Sequence, residues 1–225
     1  MYPGVQLELF IGLLRFSRDS RIVMQAVPRS DGMATSRVRR DRTLTVSLPG
    51  KQMRLRQMIL YVAKRCEDAR FFGAIKLNKI IWKADFNAYA DRGVPVTGRE
   101  YRRQKLGPTL REMRPLQTEM LKDTMIKIDR RKVGDFIEQR TIALVDPDMS
   151  LFTSEDIAYV DRSIEHYWSM TGTETSDESH GVAWKTRANG EAMPYESALL
   201  SDRSPRPAQM ERLEKLIRER MLSTE

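Results

Sequence analysis

The sequence predicts a mainly α, α+β fold: a single helical domain carrying a small antiparallel β-hairpin. Three observations predict it. Apolar side chains recur at three- and four-residue spacing through residues 53–68, 74–91 and 154–168, the period of helices with one buried face. Two alternating segments, 125–133 and 136–145, are joined by Gly134-Asp135, which reads as strand, turn and strand. The composition, 40 % hydrophobic and 31 % charged, is that of a globular chain that is slightly rich in charge.

The first helix is expected from about Met53 to Asp68, with Leu55, Met58, Ile59, Val62 and Cys66 along one stripe. The second runs from about Ala74 to Asp91, with Ile75, Leu77, Ile80, Ile81, Ala84 and Tyr89 inward and Trp82 and Phe86 widening the stripe. Gly93 and Pro95 end it. Thr97-Gly98 opens a turn into Glu100-Tyr101. Gly107-Pro108 is expected to seat proline in the first turn of a third helix, Thr109 to Asp123, which Pro115 interrupts or restarts. A fourth helix starts at Ser154 or Thr153, with Ile157, Val160, Ile164, Tyr167 and Trp168 as its buried face. Residues 173–179 read as a polar loop leading to His180 and Trp184, and Met193-Pro194-Tyr195 as an extended piece. Around Met210, Leu213, Leu216, Ile217 and Met221 a short amphipathic helix closes the chain. Residues 43–48 alternate polar and apolar, which suits one short strand.

Three regions follow: 1–50, a flexible basic arm; 51–200, the folded domain; 201–225, a linker and the C-terminal helix. The formal net charge is +8, and residues 1–50 hold eight arginines against four acids. Arg37, Arg39, Arg40 and Arg42 make the densest cluster; weak phosphate binding there is physically open, with a solvated arm the preferred reading. Met33 is a second candidate start codon. No run reaches the ~20 apolar residues of a membrane span, and the N-terminus lacks signal-peptide features. A cytoplasmic protein with no membrane contact is expected. Its single cysteine, Cys66, excludes an internal disulfide framework and reads as an inert, half-buried thiol.

Chemistry finds little support. His166 and His180 are the two imidazoles, without the spacing of a zinc site. There is no phosphate-binding glycine loop and no nucleophile elbow. Asp161 and Glu165 lie one helical turn apart and read as a solvated face rather than an acid–base pair. No catalytic residue, metal or cofactor is expected. Lys76, Lys79 and Lys83 form a row on the second helix; they could lie on a phosphate backbone or meet an acidic partner, but framing the apolar stripe and reaching water is preferred.

Ala74 to Phe86, with Lys76, Leu77, Lys79, Trp82 and Phe86, resembles the opening signature of the Panacea domain, also called the SocA-like antitoxin domain. Two later landmarks resemble that family in order and spacing. One is Thr97-Gly98 with Tyr101, then Gly107-Pro108; the other is Thr175-Ser176-x-x-Ser179-His180-x-x-x-Trp184. The resemblance covers about residues 54 to 200. Thr109 departs from it where the family often has valine, and the arginine-rich leader lies outside it. What the resemblance implies is neutralisation of a cognate protein toxin, encoded by an adjacent gene, by direct contact. Lys76, Lys79, Trp82, Phe86, Thr97, Gly98, Tyr101, Gly107, Pro108, His180 and Trp184 are its signature or partner-binding residues. Lys76, Lys79, Tyr101 and His180 are the first positions to mutate. Alternatives are a DNA-binding autoregulator acting through the arginine-rich arm, or an adaptor delivering bound toxin to a Clp protease. The hairpin could offer backbone groups to a partner strand and the C-terminal helix a groove-filling face, with packing inside the molecule preferred for both. Trp184 is expected as a core anchor and His180 as a hydrogen-bonding hinge, a pocket lined by both being the alternative.

Overall fold

A computed structural model describes residues 43–201 and 204–222. The basic arm to residue 42, with its arginine cluster and Met33, and positions 202–203 of the linker lie outside the described residues.

Helix α1, Lys51–Arg65, buries Leu55, Met58, Ile59, Leu60 and Val62 completely. Helix α2, Ala74–Arg92, ends where Gly93, left-handed at φ 80°, donates its N–H to the Tyr89 carbonyl at 2.9 Å. It is the axis of the fold: the helix at 154–167, the strand at 107–110, the C-terminal helix and the segments around residues 172–199 all pack on it. A helix surrounded in this way buries more than one stripe, and Lys76, Asn78, Lys79 and Asp85 are buried along with Leu77, Ile80, Ile81 and Ala84.

Two strands follow, β1 (Tyr101–Gln104) and β2 (Gly107–Leu110), and here the sequence expectation fails. Gly107-Pro108 opens a strand, not a helix. Tyr101 pairs with Leu110 and Arg103 with Pro108. β1 lies between β2 and a short strand at 192–193, so Pro108 sits on an edge strand, where a missing N–H is tolerated. The helix expected from Thr109 starts only at Met113 and runs to Lys122 (α3). Pro115 lies in its first turn, where the amide has no acceptor in any case.

The hairpin forms as expected: β3 (Ile126–Val133) and β4 (Phe136–Ala143) pair antiparallel from Ile126↔Ala143 to Val133↔Phe136. Gly134 at φ 59° makes the turn. Helix α4, Ser154–Tyr167, is capped by Thr153, with Asp156 returning the bond in a capping box. Its buried face carries Asp156, Tyr159, Val160, Ser163, Ile164 and Tyr167. Polar Asp156 and Ser163 thus rotate the inward direction away from the purely apolar stripe, leaving Trp168 44 % exposed rather than buried.

The expected polar loop at 173–179 is also a helix. Thr171 and Glu174 form a second capping box at the start of α5, Gly172–Glu178. A single turn, α6 (Val182–Lys185), follows; then β5 (Ala192–Met193), antiparallel to β1, and a 3₁₀ segment, Tyr195–Leu199. Helix α7, Pro207–Leu222, leaves Met210, Leu216 and Ile217 41–45 % exposed, and Arg212 donates to the carbonyls of Tyr89 and Ala90. Residues 43–48 are not a strand. The Val46 N–H bonds the Gly98 carbonyl while the Thr43 carbonyl accepts from Tyr195, each at 2.9 Å, so the segment bridges two neighbours instead of joining one ladder. No described helix is long and apolar enough to cross a membrane.

Candidate functional site

The residues singled out in the sequence gather on two sides of α2. On the first, α2 meets the β1–β2 hairpin and the end of α5. Lys79 Nζ and Asn78 Nδ2 both donate to the Pro108 carbonyl, at 2.6 and 2.7 Å, and Asn78 Oδ1 accepts from the Leu110 N–H at 3.0 Å. Gly107 has φ 93°, and a Cβ there would overlap the Ser179 hydroxyl and stand 2.8 Å from Lys79 Cε. Glycine is therefore required twice over, by conformation and by space. Lys79 is 1 % exposed, and burial pulls its amine down from 10.5 to about 7.

The same side carries His180 and Trp184, stacked with ring centroids 3.9 Å apart. The Arg103 guanidinium lies over the outer Trp184 face, 4.0 Å from its centroid. Trp184 Nε1 donates to the Gln104 carbonyl at 2.8 Å, tying α6 to β1. His180 Nε2 is buried without a hydrogen-bond partner, and burial holds the imidazole below its ordinary pKa. The ring acts through stacking rather than as the hydrogen-bonding hinge the sequence suggests. Ser179 Oγ donates back to the Ser176 carbonyl at 2.6 Å.

On the second side, Asp85 is fully buried and collects the Thr97 N–H, the Thr97 hydroxyl, the Tyr101 hydroxyl at 2.7 Å and the Tyr195 hydroxyl at 3.3 Å. Burial raises its pKa against the lowering effect of these bonds. Phe86 packs between Trp82 and the Tyr101–Tyr195 pair, with centroid distances of 5.3–5.6 Å. Thr97 and Gly98 thus serve to hold the strand entry against α2. Asp85, Asn78 and Tyr195 were not singled out from the sequence; the available signal was a carboxylate inside an otherwise apolar helix face.

The lysine row does not face outward. Lys76 is 1 % exposed and donates to the Trp168 carbonyl at 3.2 Å; Lys83 pairs with Glu178 at 3.0 Å, which also receives Tyr167 and meets His166. Lys76 and Lys79 are both buried inside the molecule, so for these two the outward-facing readings of the row, toward phosphate, an acidic partner or water, are corrected. Among the described residues no three His, Cys, Asp or Glu side chains are placed to hold a metal ion.

Residues 77–185 match a family model described as antitoxin SocA-like, Panacea domain. Over this span the chain is similar to the Panacea domain. No curated protein and no solved structure matches the chain. The Panacea match spans α2 to α6, which includes the Lys79–Pro108 junction, Asp85 with Thr97 and Tyr101, and the His180–Trp184 stack. An antitoxin-family domain suggests a non-catalytic role and implies a toxin partner in general. The signature positions are interior joints: they join α2 to the β1–β2 hairpin and to the end of α5, and β1 to α6.

One consequence is measurable. Lys79 is depressed in the folded state, so its contribution to stability is present above its ordinary value and is lost as pH falls through the folded value. Between about pH 10.5 and about pH 7 it subtracts up to about 1.4 kcal/mol per pH unit. In urea titrations across this window, Lys79→Met is expected to lack that share of the pH slope seen in the wild-type chain. Equal slopes for the two proteins contradict a neutral-prone buried amine.

Proposed function

We propose that this chain is an antitoxin that neutralises a cognate protein toxin by binding it directly, the two meeting in the cytoplasm. The observation that carries this reading is the Panacea match across residues 77–185. The geometry supports it in two respects. The polar ends of Lys79, Tyr101 and Trp184 are occupied inside the molecule, which suits a scaffold rather than a reacting centre. Burial also pushes the Cys66 thiol up to about 12, which leaves it protonated and a poor nucleophile. A rigid body of this kind acts by covering a partner, and exposed apolar side chains are the physical means for that.

The test is co-expression. The product of the adjacent open reading frame, induced alone, is expected to arrest growth, and the chain supplied from a second plasmid is expected to restore it. Growth arrest that persists at high levels of the folded chain contradicts the reading.

A further inference from the structure

The β3–β4 hairpin continues outward beyond its last support. At its base Gln117 of α3 donates to Thr141 at 3.1 Å, and the Arg140 guanidinium donates to the carbonyls of Glu67 and Ala69; Arg140 and Thr141 are buried. Beyond the Arg131↔Glu138 pair Lys132, Phe136 and Ile137 are exposed. Phe136 and Ile137 are 74 % and 70 % exposed, the highest values among the large apolar side chains described. Around Gly134 at the turn, an added Cβ meets nothing within 4 Å. Two consecutive strand residues this apolar and this open are an aggregation hazard unless something covers them.

The register says what kind of partner fits. Residues directly opposed across an antiparallel pair share a face, and consecutive ones point to opposite faces. Ile137 therefore shares its face with Lys132 and Arg130, while Phe136 lies with Val133 on the other. On the Phe136 face the arginines nearest the tip are already matched, Arg131 by Asp129 and Arg140 by Glu138. On the Ile137 face the residues paired with Lys132 and Arg130 are Ile137 and Gln139, both uncharged. A flat partner could cover Ile137 or Phe136 but not both.

We propose that the tip of this hairpin is the toxin-contacting element, and that it enters a concave protein surface with an apolar floor and carboxylates on the wall facing Ile137. The inference rests on the antitoxin reading above. Apolar side chains on both faces have no use against a phosphate backbone, which sets the protein partner above a nucleic acid. The surrounding cations steer an acidic partner and fix its orientation, and the two apolar side chains supply the anchors.

The experiment is calorimetric titration of the full chain with the protein encoded by the adjacent open reading frame. Phe136→Asp, Ile137→Asp and the double change Arg130→Glu with Lys132→Glu are compared with Met210→Asp on α7, each checked for unaltered circular dichroism and melting. Each apolar change is expected to weaken binding at least about tenfold. The charge reversal is expected to weaken it and to flatten its dependence on salt, and Met210→Asp to leave it unchanged. Tight wild-type binding with either Phe136→Asp or Ile137→Asp silent overturns the concave partner and leaves the antitoxin reading standing. Failure of the wild-type chain to bind at all removes both. Retarded migration of duplex DNA that Arg130→Glu with Lys132→Glu abolishes and Ile137→Asp does not also overturns it.

Discussion

Gly107→Ala is expected to lower the unfolding free energy by about 2–6 kcal/mol, or to prevent folding altogether. Two independent penalties add. The residue sits at φ 93°, a conformation that costs a residue with a Cβ about 1–3 kcal/mol. The methyl group would also enter space held by the Ser179 hydroxyl and the Lys79 side chain, and overpacking of a fixed site costs about 1–3 kcal/mol. Neither neighbour has free room to retreat, since Lys79 Nζ is bound to the Pro108 carbonyl and Ser179 Oγ to the Ser176 carbonyl. Urea-induced unfolding monitored by circular dichroism measures the effect. A loss below about 1 kcal/mol contradicts this description of the junction, because either term alone exceeds it.

Asp85→Ala is the second large effect, expected at about 3–5 kcal/mol, the range for removing one partner of a buried polar cluster. It strands the Thr97 amide and hydroxyl and the Tyr101 hydroxyl, all three buried and pointed at the vacated site. Tyr195 keeps its bond to the Arg99 carbonyl at 2.8 Å. Asp85→Asn separates charge from geometry. It retains one oxygen for the tyrosines but turns an amide N–H₂ toward the Thr97 N–H, so an intermediate loss is expected. The pH dependence has a definite sign. Asp85 is raised in the folded state, so its contribution is full at low pH and is lost as pH rises through the folded value; the asparagine variant lacks that decline. If Asp85→Ala unfolds at the wild-type urea concentration, the carboxylate is not the hub of the cluster.

Much of this architecture was legible because α1, α2 and α4 are long and periodic, and because Gly134-Asp135 sits between two alternating runs. The errors have physical causes. Gly107-Pro108 carries the local signature of a helix start, yet Asn78 and Lys79, some thirty residues earlier, hold the Pro108 carbonyl and the Leu110 amide in a strand. Local preference yields to tertiary hydrogen bonds of that kind. The α5 helix was missed although Thr171-x-x-Glu174 is a capping box visible in the sequence; its polar composition outweighed the cap. For the lysines, periodicity was no guide. A 3.6-residue pattern distinguishes one face of a helix from the other, but α2 is enclosed on most sides by segments distant in sequence. Lys76 and Lys79 are buried by those segments, and Asp85 finds its partners only once residues 97, 101 and 195 have come together.

The central claim is that this chain acts by occupying a second protein. It is tested most directly by size-exclusion chromatography with light scattering on the full chain co-expressed with the product of the adjacent open reading frame. The account predicts one co-eluting species of fixed stoichiometry, whose mass is that of the two polypeptides combined. A chain that restores growth while eluting apart from that product, with no complex at micromolar concentration, contradicts it.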